Sequence, residues 1–120
     1  MPSSLSIAVV VVNWNAGDYL KKCIQSLKTQ TLKPNRVIVV DNASTDDSIN
    51  GLGEEFGNFE IIKLEENTGF SFANNLAVKK VDDCDWIAFL NPDAFAAPDW
   101  LEKLSNATGD FPECVSFGSH

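Results

Sequence analysis

The sequence predicts an α/β domain in three layers, a mostly parallel sheet with helices on both faces. Three observations carry that prediction. Residues 7–12 and 37–40 are unbroken runs of apolar, mainly β-branched residues. Strands that alternate apolar and polar residues bury one face; unbroken runs suit strands covered on both. Strand-like and helix-like stretches then alternate along the chain, separated by the lengths a βαβ crossover needs. Each strand-like run also ends in polar, turn-forming residues, as expected where strands meet solvent.

The elements follow in order. After residues 7–12 comes the polar turn Asn13-Trp14-Asn15-Ala16-Gly17. Leu20, Cys23, Ile24 and Leu27 then recur at i, i+3, i+4 and i+7, the stripe of an amphipathic helix. Pro34-Asn35 breaks it, and residues 37–40 form a second strand that ends at Asp41. The loop Asn42-Ala43-Ser44-Thr45-Asp46 is rich in helix N-cap residues, and Ile49, Leu52 and Phe56 sketch a weaker helix interrupted by Gly51 and Gly53. Residues 59–64 read as a third strand and 65–68 as its loop. A helix is predicted over 69–81, with Phe70, Ala73, Ala77 and Val81 on one side. Trp86-Ile87-Ala88-Phe89-Leu90 is a fourth strand that stops at Asn91-Pro92-Asp93. Pro98 suits the first turn of a short helix carrying Leu101 and Leu104. Cys114-Val115-Ser116-Phe117 reads as a fifth strand.

Composition narrows the function classes. With 120 residues, 44% hydrophobic and 22% charged, the chain fits one domain spanning 1–120 with a real core. A formal charge of −8 argues against binding nucleic acid through its phosphates. It also means that an anionic ligand would need a bridging cation or a shielded pocket. Cys23, Cys84 and Cys114 form no CxxC pair and read as structural thiols in a reducing compartment. The run at 7–12 is too short for a signal peptide and far below the roughly 20 apolar residues of a membrane span. The expectation is a cytoplasmic protein.

In parallel sheets ligands bind beyond the carboxyl ends of the strands, where strand order reverses. The loops after residues 12, 40, 64 and 90 are therefore the ones to read. Asp41, at the tip of the second strand, suits a hydrogen bond to a ribose hydroxyl or base N–H, although it could also cap a helix. Ser44, Thr45 and Asp46 read as caps. Trp14 suits stacking on a nucleobase, for roughly 1–3 kcal/mol, or packing over the sheet edge; position alone fits both. Neither GxGxxG nor GxxxxGK[ST] occurs, which disfavours dinucleotide dehydrogenases and P-loop NTPases. Asp93 could help hold a hard divalent cation on a diphosphate, or simply sit in a type I turn with Pro92 at its second position. Asn67, Asn74 and Asn75 could bind a nucleotide or solvate a helix start.

Together these segments resemble the nucleotide-binding half of inverting family 2 glycosyltransferases of the GT-A, Rossmann-like fold. The matching stretches are Val9-Val10-Val11-Val12-Asn13-Trp14-Asn15, Val39-Val40-Asp41-Asn42-Ala43-Ser44-Thr45-Asp46, Asn67-Thr68-Gly69-Phe70-Ser71-Phe72-Ala73-Asn74-Asn75 and Phe89-Leu90-Asn91-Pro92-Asp93. Four motifs in the right order make the resemblance specific. The spellings Asn-Trp-Asn and Asn-Pro-Asp look most like the rhamnosyltransferase-like branch.

The resemblance implies a dTDP- or UDP-sugar as partner, bound through Asn13, Trp14, Asn15, Asp41, Asn67, Asn74 and Asn91. Trp14 would lie near the base and Asp41 on the uracil or thymine ring. Asp93 matches the last acid of the family's DxD motif and would hold Mg²⁺ or Mn²⁺ on the diphosphate. Asn91 stands where the first acid would be and brings no charge. The product implied is a polysaccharide or glycan of the cell envelope, made by transfer to a hydroxyl acceptor. Inversion needs a general base on that hydroxyl, and no residue here matches it. The base and the acceptor region are expected beyond the chain, which reads as truncated at its C-terminus and inactive alone. The surface so exposed is expected to favour self-association, and the full-length protein to sit at the inner face of the membrane without spanning it. An alternative is a nucleotide-binding or assembly module without turnover. A receiver-like signalling domain would want an acidic pair after the first strand, where Asn13 and Asn15 stand instead.

Overall fold

The computed structural model describes residues 6–49, 59–81 and 84–110. Along these the elements are β1 (Ile7–Asn13), α1 (Asp18–Lys28), β2 (Arg36–Asp41), β3 (Phe59–Lys63), α2 (Phe70–Lys80), β4 (Trp86–Phe89) and α3 (Trp100–Asp110). The strands form one four-stranded sheet in the order β3-β2-β1-β4. Every pairing in it is parallel.

The unbroken apolar runs behave as their composition dictates. All seven residues of β1 are buried, and five of the six in β2. Because successive side chains point to opposite faces, the two strands feed two cores. Ile7, Val9, Val11, Val37 and Val39 pack with Leu20, Cys23, Ile24 and Leu27 of α1 and Leu101 of α3. Ala8, Val10, Val12, Ile38 and Val40 pack with Ala73 and Ala77 of α2 and with Val81. Burying a Val, Leu or Ile side chain is worth about 1.5–3 kcal/mol each, so these central strands and the helix faces packed on them are a main source of the fold's stability. No helix among the described residues is long and apolar enough to cross a membrane.

Element ends differ slightly from the sequence expectation. Asn13 is the last paired residue of β1 rather than the first of its turn, and it lies opposite Asp41, which ends β2 as expected. β4 ends at Phe89, although the Leu90 N–H still reaches the Val10 carbonyl at 3.0 Å. Pro98 lies in the turn before α3, not in its first turn. Its carbonyl is taken by the Thr31 N–H at 2.7 Å, and the Leu101 N–H is instead capped by buried Gln30 Oε1 at 3.0 Å. The predicted strand at 114–117 and residues 52 and 56 of the weak helix lie outside the described residues, as do Cys114 and His120.

Two glycines start the helices. Gly17 (φ 60°) precedes α1 and Gly69 (φ 87°) precedes α2, both in the left-handed region where a Cβ is unfavourable. Neither helix has a side-chain cap of its own at that residue. For α1 the Gly17 N–H is met from across the sheet edge by Asp46 Oδ2 at 3.0 Å. Asp46 Oδ1 also accepts the Ser48 N–H at 3.1 Å and the Ser48 hydroxyl at 2.6 Å. The Ser48 hydroxyl is the main cause that holds the Asp46 carboxyl below its usual value of 3.8, with the Ser48 and Gly17 N–H groups adding to it against desolvation.

Two outcomes follow for stability. Leu27→Ala should lower the unfolding free energy by about 2–5 kcal/mol, read from urea midpoints. Asp46→Asn keeps the side chain's shape and removes its charge. A carboxyl with a lowered folded pKa stabilises above its unfolded value and loses that contribution as pH falls through the folded one. The Tm deficit of Asp46→Asn against wild type should therefore be full above pH 3.8 and close progressively below it.

Candidate functional site

Strand order β3-β2-β1-β4 means that the chain leaves β1 toward β2 and β3, then returns to β1's other side as β4. The reversal falls at β1, so the crevice at its carboxyl end is where a ligand would be sought. Four loops line this edge: 64–69 after β3, 42–48 after β2, 14–17 after β1 and 90–99 after β4. The exposed large apolar side chains of the described residues, Trp14, Tyr19, Phe72, Phe89 and Phe95, all lie on segments at this edge. Tyr19 and Phe95 stack with ring centroids 6.2 Å apart.

At the centre stands Asp41, only 4% exposed. Its Oδ1 accepts Asn13 Nδ2 at 2.9 Å and the Ser44 hydroxyl at 2.6 Å. Its Oδ2 takes no hydrogen bond among the described residues. Asn13 Oδ1 is the buried side-chain polar atom left without a partner there, so Asp41 Oδ2, also unpartnered, keeps contact with solvent. One oxygen of the carboxylate is thus tied to the fold and the other is free. Asn13 itself is fully buried, and its Nδ2 lies 3.1 Å from Ser44 Oγ and 2.8 Å from Ser48 Oγ.

The residues read as caps also tie two loops together; Asp46 keeps a cap-type bond from the Ser48 N–H at 3.1 Å, and most of the helix they were read to cap lies outside the described residues. Ser44 Oγ accepts the Asn15 N–H at 2.9 Å, while Asn15 Oδ1 accepts the Thr45 N–H at 2.7 Å and the Asp46 N–H at 3.2 Å. Ser44, Thr45 and Asp46 therefore stitch the β2 loop to the β1 loop, because the register of the two strands leaves those backbone groups facing each other. The stitching holds Asn15 (φ 50°) and Ala43 (φ 63°) in the left-handed region. For Ala43 that is strain, of the kind found at functional sites.

The other loops are fastened in the same way. Asn42, 3% exposed, accepts the Thr68 N–H at 2.9 Å and donates to the Gly69 carbonyl at 3.3 Å, tying β2 to the start of α2. Asn67 Oδ1 accepts the Gly69 N–H at 3.0 Å, so it helps to shape that helix start. After β4, the Ala94 N–H meets the Asn91 carbonyl at 2.9 Å, closing the turn expected of Asn91-Pro92-Asp93. Beneath that turn the Cys23 thiol donates to the same carbonyl at 3.6 Å. Burial, and then the Asp93 charge, push the Cys23 thiol up to about 12, so it is a structural donor and not a nucleophile. Buried Gln30 donates to the Ala97 carbonyl at 2.7 Å and secures the far end of the loop. Sequence reasoning missed Asn42, Ser48 and Gln30 as individuals; their polarity beside buried runs was the available signal.

What the edge offers a ligand is then a short set. Trp14 is 56% exposed, which decides against packing as core. Asp41 supplies Oδ2. Asn91 and Asp93 are exposed, Asn74 is half-buried, and none of the three side chains makes a hydrogen bond among the described residues. No group of three or more His, Cys, Asp or Glu there could hold a metal ion by itself. A cleft of about 370 Å³ lies to one side, lined by Gly17, Asp18, Lys21, Asp46, Asp47 and Ser48. Its three carboxylates against one lysine disfavour a diphosphate.

Comparison with known proteins agrees with this geometry. The family model "Glycosyl transferase family 2" matches residues 8–119. The chain is 30% identical over 119 residues to a teichoic acid poly(glycerol phosphate) polymerase of Staphylococcus epidermidis, covering 92% of this chain and 16% of that protein. It is 25% identical over 122 residues to an N-acetylglucosaminyl-diphospho-decaprenol L-rhamnosyltransferase of Mycobacterium tuberculosis, covering 93% of this chain and 40% of that one. A crystal structure of S. aureus TarS 1-349 in complex with UDP-GlcNAc superimposes with a TM-score of 0.75 at 23% identity, over 88% of this chain and 32% of that one. The chain thus spans between 16% and 40% of the length of these relatives. The parallel sheet, its loop-edge motifs and the family match over nearly the whole length lead to one conclusion: the chain belongs to glycosyltransferase family 2.

Proposed function

We propose that this chain holds the nucleotide of a UDP- or dTDP-sugar for an inverting glycosyltransferase that passes the sugar to a hydroxyl acceptor in cell-envelope polysaccharide synthesis. The observation that carries the reading is Asp41, a buried carboxylate with one oxygen pinned and the other open at the strand-order reversal. Such an acceptor pairs with the ring N–H of uracil or thymine. Trp14 beside it gives the base a face to stack on. Asn15, Asn67, Asn74 and Asn91 would serve ribose and phosphate oxygens from the loops around them. The spellings Asn13-Trp14-Asn15 and Asn91-Pro92-Asp93, with the mycobacterial relative, support the rhamnosyltransferase-like branch.

A divalent cation fits the donor set in one way. Asp93 is a single exposed carboxylate with neutral Asn91 two residues earlier. Mg²⁺ or Mn²⁺ is commonly held by one or two carboxylates together with substrate phosphates, so Asp93 would hold the ion jointly with the donor's diphosphate. When bound it would neutralise charge on the leaving diphosphate. The need is plain in a chain of formal charge −8. In the transfer itself the acceptor oxygen attacks the anomeric carbon as its proton leaves, and the nucleoside diphosphate departs from the opposite face. This chain's share is to hold and orient the donor; we assign none of its residues to the base.

The test is thermal. UDP or dTDP with Mn²⁺ should raise the Tm, since a ligand at ten times its Kd adds about 1.4 kcal/mol. Asp93→Ala should abolish the part of the shift that depends on the metal and leave the part that does not. No shift with either nucleotide at millimolar concentration would contradict the reading.

A further inference from the structure

Asp41 is held by more than its place at the end of β2. Two donors, Asn13 Nδ2 and Ser44 Oγ, converge on the same oxygen, Oδ1, at 2.9 and 2.6 Å. None reaches Oδ2 among the described residues. A carboxylate whose oxygens were equally served could rotate and present either one. This carboxylate cannot rotate without breaking both bonds.

Asn13 is an expensive way to achieve that. It is fully buried, yet its own Oδ1 has no partner among the described residues. An orphaned buried carbonyl costs stability that an apolar side chain would not, and the preceding residues Val9, Val10, Val11 and Val12 are all apolar. Asn13 thus places an amide at the end of an otherwise apolar strand. With no exposed surface it does not meet a ligand directly. Its Nδ2 also approaches Ser48 Oγ at 2.8 Å, and Ser48 in turn donates to Asp46. The same network therefore braces the 44–48 loop that carries Ser44.

We infer that Asn13 and Ser44 are positioning residues that pin Oδ1 of Asp41, so that Oδ2 alone faces the ligand as a fixed acceptor and selects a base presenting a ring N–H. The inference rests on the reading of this edge as a nucleoside diphosphate site. Uracil and thymine carry that N–H; cytosine presents a lone pair at the same ring position and would meet Oδ2 with repulsion. Base selection then depends on two side chains that do not touch the base.

Calorimetric titration of the 120-residue chain with UDP and with CDP, both with Mg²⁺, tests it. Wild type should prefer UDP by about tenfold or more, the size of one well-aligned bond to a charged group. Asn13→Ala should bring the two affinities within about twofold of each other. Half-buried Ser44→Ala should do the same and reads the outcome if Asn13→Ala fails to fold. Asp41→Ala, which removes the acceptor and leaves Asn13 nothing to position, should lose the preference by itself. Adding Asn13→Ala to it should change the ratio no further, as two residues acting through one group require. If Asp41→Ala loses the preference while Asn13→Ala or Ser44→Ala keeps it, the positioning role is overturned and the nucleotide site stands. If wild type binds UDP and CDP equally, the reading of Asp41 fails and takes this inference with it.

Discussion

The hydrogen bond from Asn13 to Asp41 joins the last residues of β1 and β2, and the arrangement of the carboxyl edge depends on it. It sits where two buried strands run out and the chain must change from apolar packing to polar function. Parallel register brings the two side chains opposite each other, 28 positions apart in sequence. From that point Ser44, Asn15 and Asp46 extend the network outward, so the β1 and β2 loops behave as one piece. A preorganised edge of this kind spares a ligand the entropy of ordering loops on arrival.

The rest of the edge is fastened by equivalent means but from different faces of the sheet. Asn42 ties β2 to the start of α2 on one side. On the other, Cys23 and Gln30 of the α1 region tie down the segment after β4. The free groups, Trp14, Asp41 Oδ2, Asn91 and Asp93, are thus mounted on loops whose backbones are already committed. Function on such a fold comes from loop residues held by a rigid scaffold.

Much of the fold was legible because its signals are local. Residues 7–12 and 37–40 read as two-sided strands, and the stripe Leu20, Cys23, Ile24, Leu27 as the core side of a helix, and both are found. The start of α3 was misplaced because Pro98 obeys a tertiary bond from Thr31 rather than its helix preference. At the site, Asp41, Trp14 and Asp93 stood out as unusual residues at strand ends. The cross-loop jobs of Ser44 and Asp46 did not, because a cap and a cross-loop tie use the same atoms and differ only in which N–H comes near. That is settled by strand register, which no local pattern encodes. Asn13 was the subtlest case: its residue type suggests a ligand contact, and only its complete burial points to a role behind Asp41.

The central claim, that a nucleoside diphosphate sits at the carboxyl edge beside β1, is open to direct mapping by nuclear magnetic resonance. Titrating the isotope-labelled chain with UDP and Mg²⁺ should move the Trp14 indole N–H and the backbone amides of Asn42, Thr68, Asn91 and Asp93. Those of Asn35 and Asp85, at the opposite end of the sheet, should stay still. Shifts concentrated around Asn35 and Asp85, or along the cleft of Asp18, Lys21 and Asp47, would contradict it.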